Sequence, residues 1–206
     1  MSITIVEAGP SVLFEYGVVP SVVTVHEVFD VVGAPEEPGG VRLLARTLQT
    51  PYIKNYDAPP AAAPSLWSDL FDMRHWRFFT ALLGAHAVGR ATIAWKTTDL
   101  DLFDGRDDVA VLWDLRVHPA HQRLGIGTRL FAAAAQWARA QGASMLKGET
   151  QSINVPACRF YQAQGCQLCA VQHGAYPDLP DEVQLLWYRH LAWKDATASR
   201  IRMSSR

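Results

Sequence analysis

Between Leu115 and Leu130 the chain reads LRVHPAHQRLGIGTRL, and this stretch decides the fold. The residues that lead into it, Val109–His118, are mostly apolar and β-branched, which is typical of a strand, and Pro119 ends that strand. The residues that follow carry apolar side chains at the helical period, which predicts a helix over Gly125–Gln141 that ends at Gly142. The sequence therefore predicts a strand that passes through a short basic, glycine-bearing loop directly into a helix.

The loop of this stretch has the chemistry of a phosphate cradle. Several backbone N–H groups at a helix N-terminus point in one direction, and the helix dipole adds positive potential there. Gly125 and Gly127 have no Cβ that would hold a phosphate away from the backbone, and Arg123 adds a positive charge. The spacing fits neither GxGxxG nor GxxxxGK followed by Ser or Thr, which disfavours a nicotinamide-binding Rossmann domain and a P-loop kinase. The alternative is that the two glycines only close a tight turn.

The rest of the chain alternates between strand and helix signals. Two apolar segments that flank a polar turn at Gly84–His86 predict a β-hairpin. A short helix is predicted after a cap at Ser65, and a second one after a cap at Asn154, with Gly165 at its end. Further strands are predicted over Ser21–Val32, Trp76–Leu83, Ala87–Trp95, Ser144–Thr150, Gln167–Val171 and Val183–Leu191. This order predicts an α/β fold with a sheet of mixed direction.

The length and composition are those of a single soluble globular domain. At roughly 150 residues per domain, a chain of 206 residues favours one domain. A content of 49% hydrophobic and 19% charged residues excludes a disordered or fibrous chain. We assign residues 1–195 to that domain and the polar residues 196–206 to a C-terminal tail. Within the domain, GAPEEPGG at 33–40 predicts a turn, and APPAAAP at 58–64 predicts a surface linker.

Charge and cysteine content narrow the partners and the compartment. Nineteen basic and twenty acidic side chains leave a formal net charge of -1, which predicts neither nucleic acid nor an anionic membrane as a partner. No window reaches the roughly 20 apolar residues of a membrane span. Cys158, Cys166 and Cys169 are too few for a disulfide framework, so we expect free thiols in a reducing compartment, the cytoplasm. The CQLC spacing of the last two lacks a second ligand pair, so no metal site is predicted.

Two motifs resemble those of the GNAT acetyltransferase superfamily. QRLGIG at Gln122–Gly127 is similar to the acyl-CoA-binding signature, in which Gln or Arg and two variable residues precede Gly, a variable residue and Gly or Ala. Phe160 and Tyr161, followed by Gly165, match a second motif, although Cys166 stands where the superfamily has Phe. Four further segments resemble one group within it, the streptothricin acetyltransferases: VHEVFDV (Val25–Val31), PYIKNY (Pro51–Tyr56), ETQSINVPACRFY (Glu149–Tyr161) and VQLLWY (Val183–Tyr188).

The resemblance implies a GNAT fold, in which helices flank a mixed central β-sheet, and acetyl-CoA as the cofactor. It places the pantetheine arm of the cofactor along the main chain of Leu115 and Val117, in the manner of an added strand. Asn154 either caps its helix and also contacts a pantetheine amide, or only caps its helix. The loop residues expected to bind the cofactor are Gln122, Arg123, Leu124, Gly125, Gly127 and Thr128.

Acetyl transfer to an amine also requires that protons be moved. An alkylamine with a pKa near ~10.4 is mostly protonated at neutral pH, so a base must remove a proton before attack. Asp114 is the candidate base, and the alternative is a structural carboxylate that pairs with Arg116 or a nearby histidine. Tyr161 stands where the superfamily has a tyrosine beside the leaving sulfur, and it is either the proton donor or a core aromatic residue. Trp113 stands where the streptothricin acetyltransferases usually carry Glu.

The sequence thus predicts an acetyl-CoA-dependent N-acetyltransferase that acts by direct transfer to a primary amine of a small molecule. The closer resemblance makes a streptothricin-type antibiotic a candidate acceptor and resistance the role. The alternatives are a protein or polyamine N-acetyltransferase, or a catalytically degenerate sensor that binds acyl-CoA, which Trp113 would favour. By analogy with the superfamily the chain could form a homodimer, with Trp187 on the apolar C-terminal strand as part of the interface.

Overall fold

The computed structural model describes residues 2–33, 40–59, 63–97, 103 and 105–191, and strands make up most of its regular structure. The strands are β1 (Ile3–Ala8), β2 (Val22–Val32), β3 (Arg42–Asn55), β4 (Arg77–Leu83), β5 (His86–Ala94), β6 (Val109–Val117), β7 (Met145–Gln151), β8 (Gln167–Gln172) and β9 (Gln184–His190). The α-helices are α1 (Trp67–Leu70), α2 (Ile126–Ala140) and α3 (Val155–Ala163). Short 3₁₀ helices span Pro10–Val18, Pro64–Leu66 and Pro119–His121.

Seven strands form one sheet in the order β1-β4-β5-β6-β7-β9-β8, and β2 pairs with β3 in a separate two-stranded sheet. In the described part of the chain, β6 and β7 are the only parallel neighbours. The helix α2 connects them, because parallel strands need a crossover rather than a tight turn. The predicted mixed central sheet with flanking helices is confirmed.

The elements predicted around the deciding stretch are also confirmed. β6 ends at Val117, and α2 runs to Ala140, with Gly142 beyond its end at a φ of 96°. The predicted hairpin forms from β4 and β5 and turns at Gly84, which has a φ of 62°. Gly165, at a φ of 77°, follows α3. Each of these glycines adopts the left-handed conformation that residues with a Cβ avoid.

The prediction of a helix capped by Ser65 is wrong in its cap and its length. Ser65 lies inside the 3₁₀ turn Pro64–Leu66, and the helix α1 that follows has four residues. No side chain caps either turn, since a capping serine must have its own backbone outside the helical turn. Residues 34–39 of the predicted turn, 60–62 of the predicted linker and the predicted tail at 196–206 lie outside the described residues.

Two apolar clusters cover the two faces of the seven-stranded sheet. On one face, α2 and α3 pack through residues such as Leu130, Phe131 and Cys158. On the other face, the 3₁₀ helix Pro10–Val18 and α1 pack through an aromatic cluster that includes Tyr16 and Trp67. β6 supplies side chains to both faces, because successive residues of a strand point to opposite sides. The central strand is therefore buried on both faces where it pairs with β7.

Gly89 on β5 lets α2 approach the sheet closely. A Cβ at this position would lie 2.9 Å from Leu130 and 3.0 Å from Ile126, both side chains of α2. The first turn of α2 therefore lies directly on the middle of the sheet. None of the helices in the described part of the chain has the length and apolar content that crossing a bilayer requires.

Candidate active site

The two parallel strands part halfway along their length. β6 pairs with β7 only over Val109–Leu112, and the last pair joins Leu112 to Gly148. On its other side β6 stays paired with β5 as far as Val117. Among the described residues, β6 from Trp113 onward therefore has a strand neighbour on one side only. The gap that opens between β6 and β7 leads to the N-terminus of α2.

The backbone groups of Leu115 and Val117 face this gap. The N–H of His118 donates to the Val88 carbonyl on β5 at 2.9 Å. Backbone polar groups alternate in direction along a strand, so the groups of Leu115 and Val117 point the other way. The side-chain amide of Gln122 donates to the Val117 carbonyl from that open side at 3.2 Å. The main chain of Leu115 is thus presented to the cleft.

A β-bulge at Trp113 determines on which face of the sheet the later side chains of β6 lie. Thr92 pairs with Asp114 and Ile93 with Leu112, so Trp113 is the extra residue. Side chains alternate between the two faces of a sheet, and the extra residue of a bulge shifts this alternation by one residue for everything that follows it. Trp113 and Asp114 therefore project on the same face as the aromatic cluster, while Leu115 packs on the α2 side.

The loop before α2 forms a concave turn at the end of the gap. Gly125 has a φ of 76°, and Arg123 has a φ of 64°, which is uncommon for a residue with a side chain. The helix begins at Ile126 with no acidic side chain in its first turn. A Cβ at Gly127 would lie 3.3 Å from the Phe160 ring. Backbone N–H groups here meet no competing carboxylate, which suits an anion.

Tyr161 lies over the point where the strands part. A Cβ at Gly148 would lie 2.6 Å from Cε1 and 2.9 Å from the hydroxyl oxygen of Tyr161, so the end of the phenol ring lies against the β7 backbone. Its ring stacks on Trp187 with centroids 6.2 Å apart. Burial raises the pKa of Tyr161, so the phenol keeps its proton at neutral pH.

Asp114 is part of a buried polar network. Arg116 donates to it through Nε at 2.9 Å and through Nη2 at 2.7 Å, and Tyr16 donates to it at 3.1 Å. Arg116 also donates to Asp57 at 2.9 Å and has a side chain that is only 5% exposed. Burial, and after it the charge of Asp114, raises the pKa of Tyr16, which therefore stays a donor. The structural alternative for Asp114, a pair with Arg116, is thus observed.

A second carboxylate, Glu149, reaches the cleft from β7. The Tyr176 hydroxyl donates to its Oε1 at 2.5 Å, and Gln151 donates to the Tyr176 oxygen at 3.2 Å. Burial, followed by this hydrogen bond, raises the pKa of Tyr176. Our sequence reasoning did not single out Glu149. The feature that could have revealed Glu149 is a carboxylate on a strand whose other residues are mostly buried. It lies one residue after Gly148, the last residue of β7 that pairs with β6.

These features line one cleft of about 1150 Å³. Its other wall comes from Trp67, Leu70 and Phe71. Leu124 is the exception among the predicted residues, since its side chain is 66% exposed and does not line the cleft. The predicted site residues that the fold brings together here are Asp114, Leu115, Val117, Gln122, Arg123, Gly125, Gly127, Thr128, Asn154 and Tyr161.

Asn154 caps α3, as both of its interpretations predict, and a contact with the cofactor stays a prediction. Its Oδ1 accepts from the backbone N–H of Ala157 at 3.2 Å, and its Nδ2 donates to the Tyr56 hydroxyl at 3.2 Å. Trp187 is buried beneath Tyr161 on the second strand from the edge of the sheet, so its side chain offers no surface for a subunit contact, and the homodimer stays a prediction. The strand β9 that carries it lies between β7 and β8 and has no free edge.

The cysteines are free thiols, as predicted, and differ in exposure. Cys158 and Cys166 are buried, and burial raises the pKa of each to about 11, so both stay protonated at neutral pH. Cys169 is exposed. Within the described part of the chain, His, Cys, Asp and Glu form no group of three that could hold a metal ion.

A comparison with known families identifies the class of protein. The family model of the Acetyltransferase (GNAT) family matches residues 43–166. This span covers nearly all of β3, the strands β4 to β7, and the helices α2 and α3. The chain belongs to the GNAT acetyltransferase family.

The curated relatives that match this chain are streptothricin acetyltransferases. The chain is 33% identical over 81 residues to streptothricin acetyltransferase A of Bacillus subtilis (strain 168), a match over 38% of this chain and 47% of that protein. It is 35% identical over 69 residues to the streptothricin acetyltransferase of Streptomyces lavendulae, over 34% of this chain and 36% of that protein. The matched part thus spans about half the length of these relatives or less.

Solved structures share the fold over nearly the whole chain. A nourseothricin acetyltransferase matches with a TM-score of 0.71 and 20% identity, over 93% of this chain and 100% of that chain. A Bacillus anthracis str. Ames protein that was crystallised in complex with acetyl coenzyme A matches with a TM-score of 0.71 and 23% identity, over 92% of this chain and 98% of that chain. The recognised GNAT fold is confirmed.

The position of Tyr161 generates a prediction about stability. Gly148→Ala is expected to lower the free energy of unfolding by about 1–3 kcal/mol, because the added methyl group displaces the Tyr161 ring. Thermal unfolding would report a Tm lower by about 2–4 °C per kcal/mol. In a Tyr161→Leu background the same substitution should cost much less, since the ring has been removed. Equal losses in both backgrounds would show that the ring does not lie over Gly148.

Proposed function

We propose that this chain is an acetyl-CoA-dependent N-acetyltransferase whose acceptor is a primary amine of a small molecule, with a streptothricin-type antibiotic as the first candidate. The observation that carries the proposal is the gap between β6 and β7, which joins an open strand edge, a helix N-terminus and a buried phenol in one cleft. The names of the relatives and the acetyl coenzyme A complex of a similar fold support it.

The residues of the cleft fit acetyl-CoA. The loop Gln122–Thr128, with its left-handed turn and the start of α2, would hold the diphosphate through backbone N–H groups and Arg123. The open edge at Leu115 and Val117 would pair with the pantetheine amides as a strand does. Asn154 lines the same cleft and would lie beside the pantetheine arm. When bound, this cofactor supplies an acetyl thioester and a thiol leaving group.

The backbone N–H of Leu115 would stabilise negative charge on the reacting carbonyl oxygen. It points into the gap and lacks a strand partner there. A donor fixed in the main chain needs no reorganisation during the reaction, which makes it effective at this task. Tyr161 would hold the proton that the departing sulfur needs, at its hydroxyl group over Gly148. Its raised pKa keeps this proton in place until transfer.

The proton of the acceptor amine must go to a carboxylate, and the cleft offers two. Asp114 already accepts hydrogen bonds from Arg116 and Tyr16 at both of its oxygens, which leaves it less accessible to an amine. Glu149 accepts a hydrogen bond from the Tyr176 hydroxyl, a neutral donor whose raised pKa keeps its proton in place. We therefore assign the base to Glu149 and keep Asp114 as the alternative.

Cofactor binding can be tested without turnover. Acetyl-CoA at about 100 times its Kd should stabilise the protein by about 2.7 kcal/mol and raise its Tm. Gly125→Ala should remove most of this rise, because it disturbs the turn that presents the N–H groups. Gly174→Ala is the matched control: both glycines have a positive φ and open space around them, but Gly174 lies outside the cleft. The same loss in both variants would contradict the assigned cradle.

Acceptor choice decides between the functional alternatives. We expect thiol release from acetyl-CoA with streptothricin, and much less with polyamines or lysine peptides. The ground for this order is that the relatives named above are streptothricin acetyltransferases. Thiol release would be followed with a colorimetric thiol reagent across this panel. Preference for a polyamine or a peptide would replace the proposed acceptor, and tight cofactor binding with no thiol release for any amine would establish the sensor.

The two carboxylates can be separated by their pH profiles. In the wild type, kcat/KM should fall at low pH because protonation of the base stops the reaction. Glu149→Gln should lower kcat/KM by about 100-fold or more, and the remaining activity should no longer fall at low pH. Asp114→Asn should keep that fall. Tyr161→Phe should lower kcat, and in the wild type the alkaline fall due to Tyr161 should lie above about pH 10, the ordinary phenol value.

The reverse result would transfer the base to Asp114. In that case kcat/KM of Asp114→Asn would no longer fall at low pH, whereas kcat/KM of Glu149→Gln still would. Full activity of Asp114→Asn, Glu149→Gln and Tyr161→Phe would contradict the assignment of all three roles. The Tm of each variant should be measured alongside, since Asp114→Asn also weakens a buried ion pair.

A further inference from the structure

Trp113 and Glu149 lie on the two sides of the mouth of the gap, and both line the cleft. Val111 on β6 pairs with Lys147 on β7. Trp113 and Glu149 each follow two residues later, so they project from the same face of the sheet. This is the face opposite α2 and α3. An indole and a carboxylate thus flank the point where the two strands part.

The indole of Trp113 belongs to a rigid aromatic wall, which we define as Trp67, Phe71 and Trp113. Trp113 meets Trp67 with ring centroids 6.0 Å apart and planes at 88°. It meets Phe71 at 5.0 Å and 69°. Edge-to-face packing is a favoured arrangement of aromatic rings, and Trp113 also packs against Trp76 with centroids 5.5 Å apart. All three members line the cleft, and Trp113 is only partly buried.

Of the two carboxylates among the described residues that line the cleft, Glu149 is the one left for a ligand. Asp114 is engaged by Arg116 at 2.7 Å. Glu149 is oriented by the hydrogen bond from Tyr176. Lys147, the cation nearest to Glu149 on β7, has its Nζ 5.3 Å from the centre of the Tyr188 ring on β9. An aromatic face beside an oriented carboxylate is the combination that recognises an organic ammonium ion.

Resting on the function proposed above, we infer that the aromatic wall and Glu149 form the acceptor subsite and select a primary alkylammonium group. The Trp113 face holds the ammonium ion by a cation–π contact. One N–H bond of the ion then breaks and its proton forms an O–H bond with Glu149, which leaves a neutral amine with its lone pair free. Trp113 is therefore a specificity residue, and amines that carry no charge before binding are disfavoured.

A pair of probes that cannot be acetylated on nitrogen isolates the cation–π contact. Choline carries a quaternary ammonium group, and 3,3-dimethyl-1-butanol is its neutral isostere. Binding to the acetyl-CoA-loaded protein, followed by intrinsic fluorescence and by competition against the acceptor, should favour choline by about tenfold or more. Trp113→Leu should weaken choline binding by about 5- to 30-fold and change binding of the neutral isostere by less than about twofold.

Two further variants sharpen the result. Trp113→Phe keeps an aromatic face and should recover most of the affinity for choline. Trp137→Phe is the control for the fluorescence signal, because Trp137 lies on α2 outside the cleft and its replacement should change neither affinity. With the natural acceptor, Trp113→Leu should raise KM for the amine while KM for acetyl-CoA stays the same.

Equal binding of choline and its isostere to the wild type, or unchanged choline binding in Trp113→Leu, would overturn the inference. This outcome is distinct from failure of the proposed function, which would appear as no Tm rise with acetyl-CoA and no thiol release in the same preparation. Preference for choline that depends on Trp113, without thiol release, would keep the ammonium subsite and reject the transferase.

Discussion

The site depends on the parting of two parallel strands after the pair Leu112 and Gly148. Backbone polar groups in a sheet normally find partners on both sides, so a strand edge that opens inside the sheet must be satisfied by water or by a ligand. The opening exposes the main chain of Leu115 within the sheet and leads toward the start of α2. One geometric event therefore creates both the edge and the path from that edge to the helix dipole.

The buried guanidinium of Arg116 holds the C-terminal end of β6 in place. Arg116 is almost fully buried and donates to Asp114, to Asp57 and to the Val19 carbonyl. A buried guanidinium requires such partners, because its transfer out of water is costly without them. Through these bonds the network joins β6 to the N-terminal segment and to the chain that follows β3. It also gives the two cleft carboxylates different environments, because Asp114 has a charged donor and Glu149 has a neutral one.

Much of the fold could be predicted because its signals are local. The apolar periods of β6 and α2, the proline after the strand and the glycines after α2 and α3 each act within a few residues. The strand β3 was missed because it is exposed along most of its length, so its residues show little apolar alternation. Glu149 was missed because its partner, Tyr176, lies in a distant loop. The bulge at Trp113 left no mark in the sequence, since it depends on the register with β5.

The sequence by itself determined that a strand leads through the loop Gln122–Gly127 into a helix. Backbone preferences, including the freedom of a glycine without a Cβ, are local properties of each residue, so they can be read from the sequence. Only the tertiary structure decided that Asp114 lies in an ion pair, that Glu149 reaches the cleft with a phenol as its donor, and that Trp113 lines the same cleft. Strand order, register and the bulge set these neighbours, and each depends on pairing between segments that are far apart in the chain.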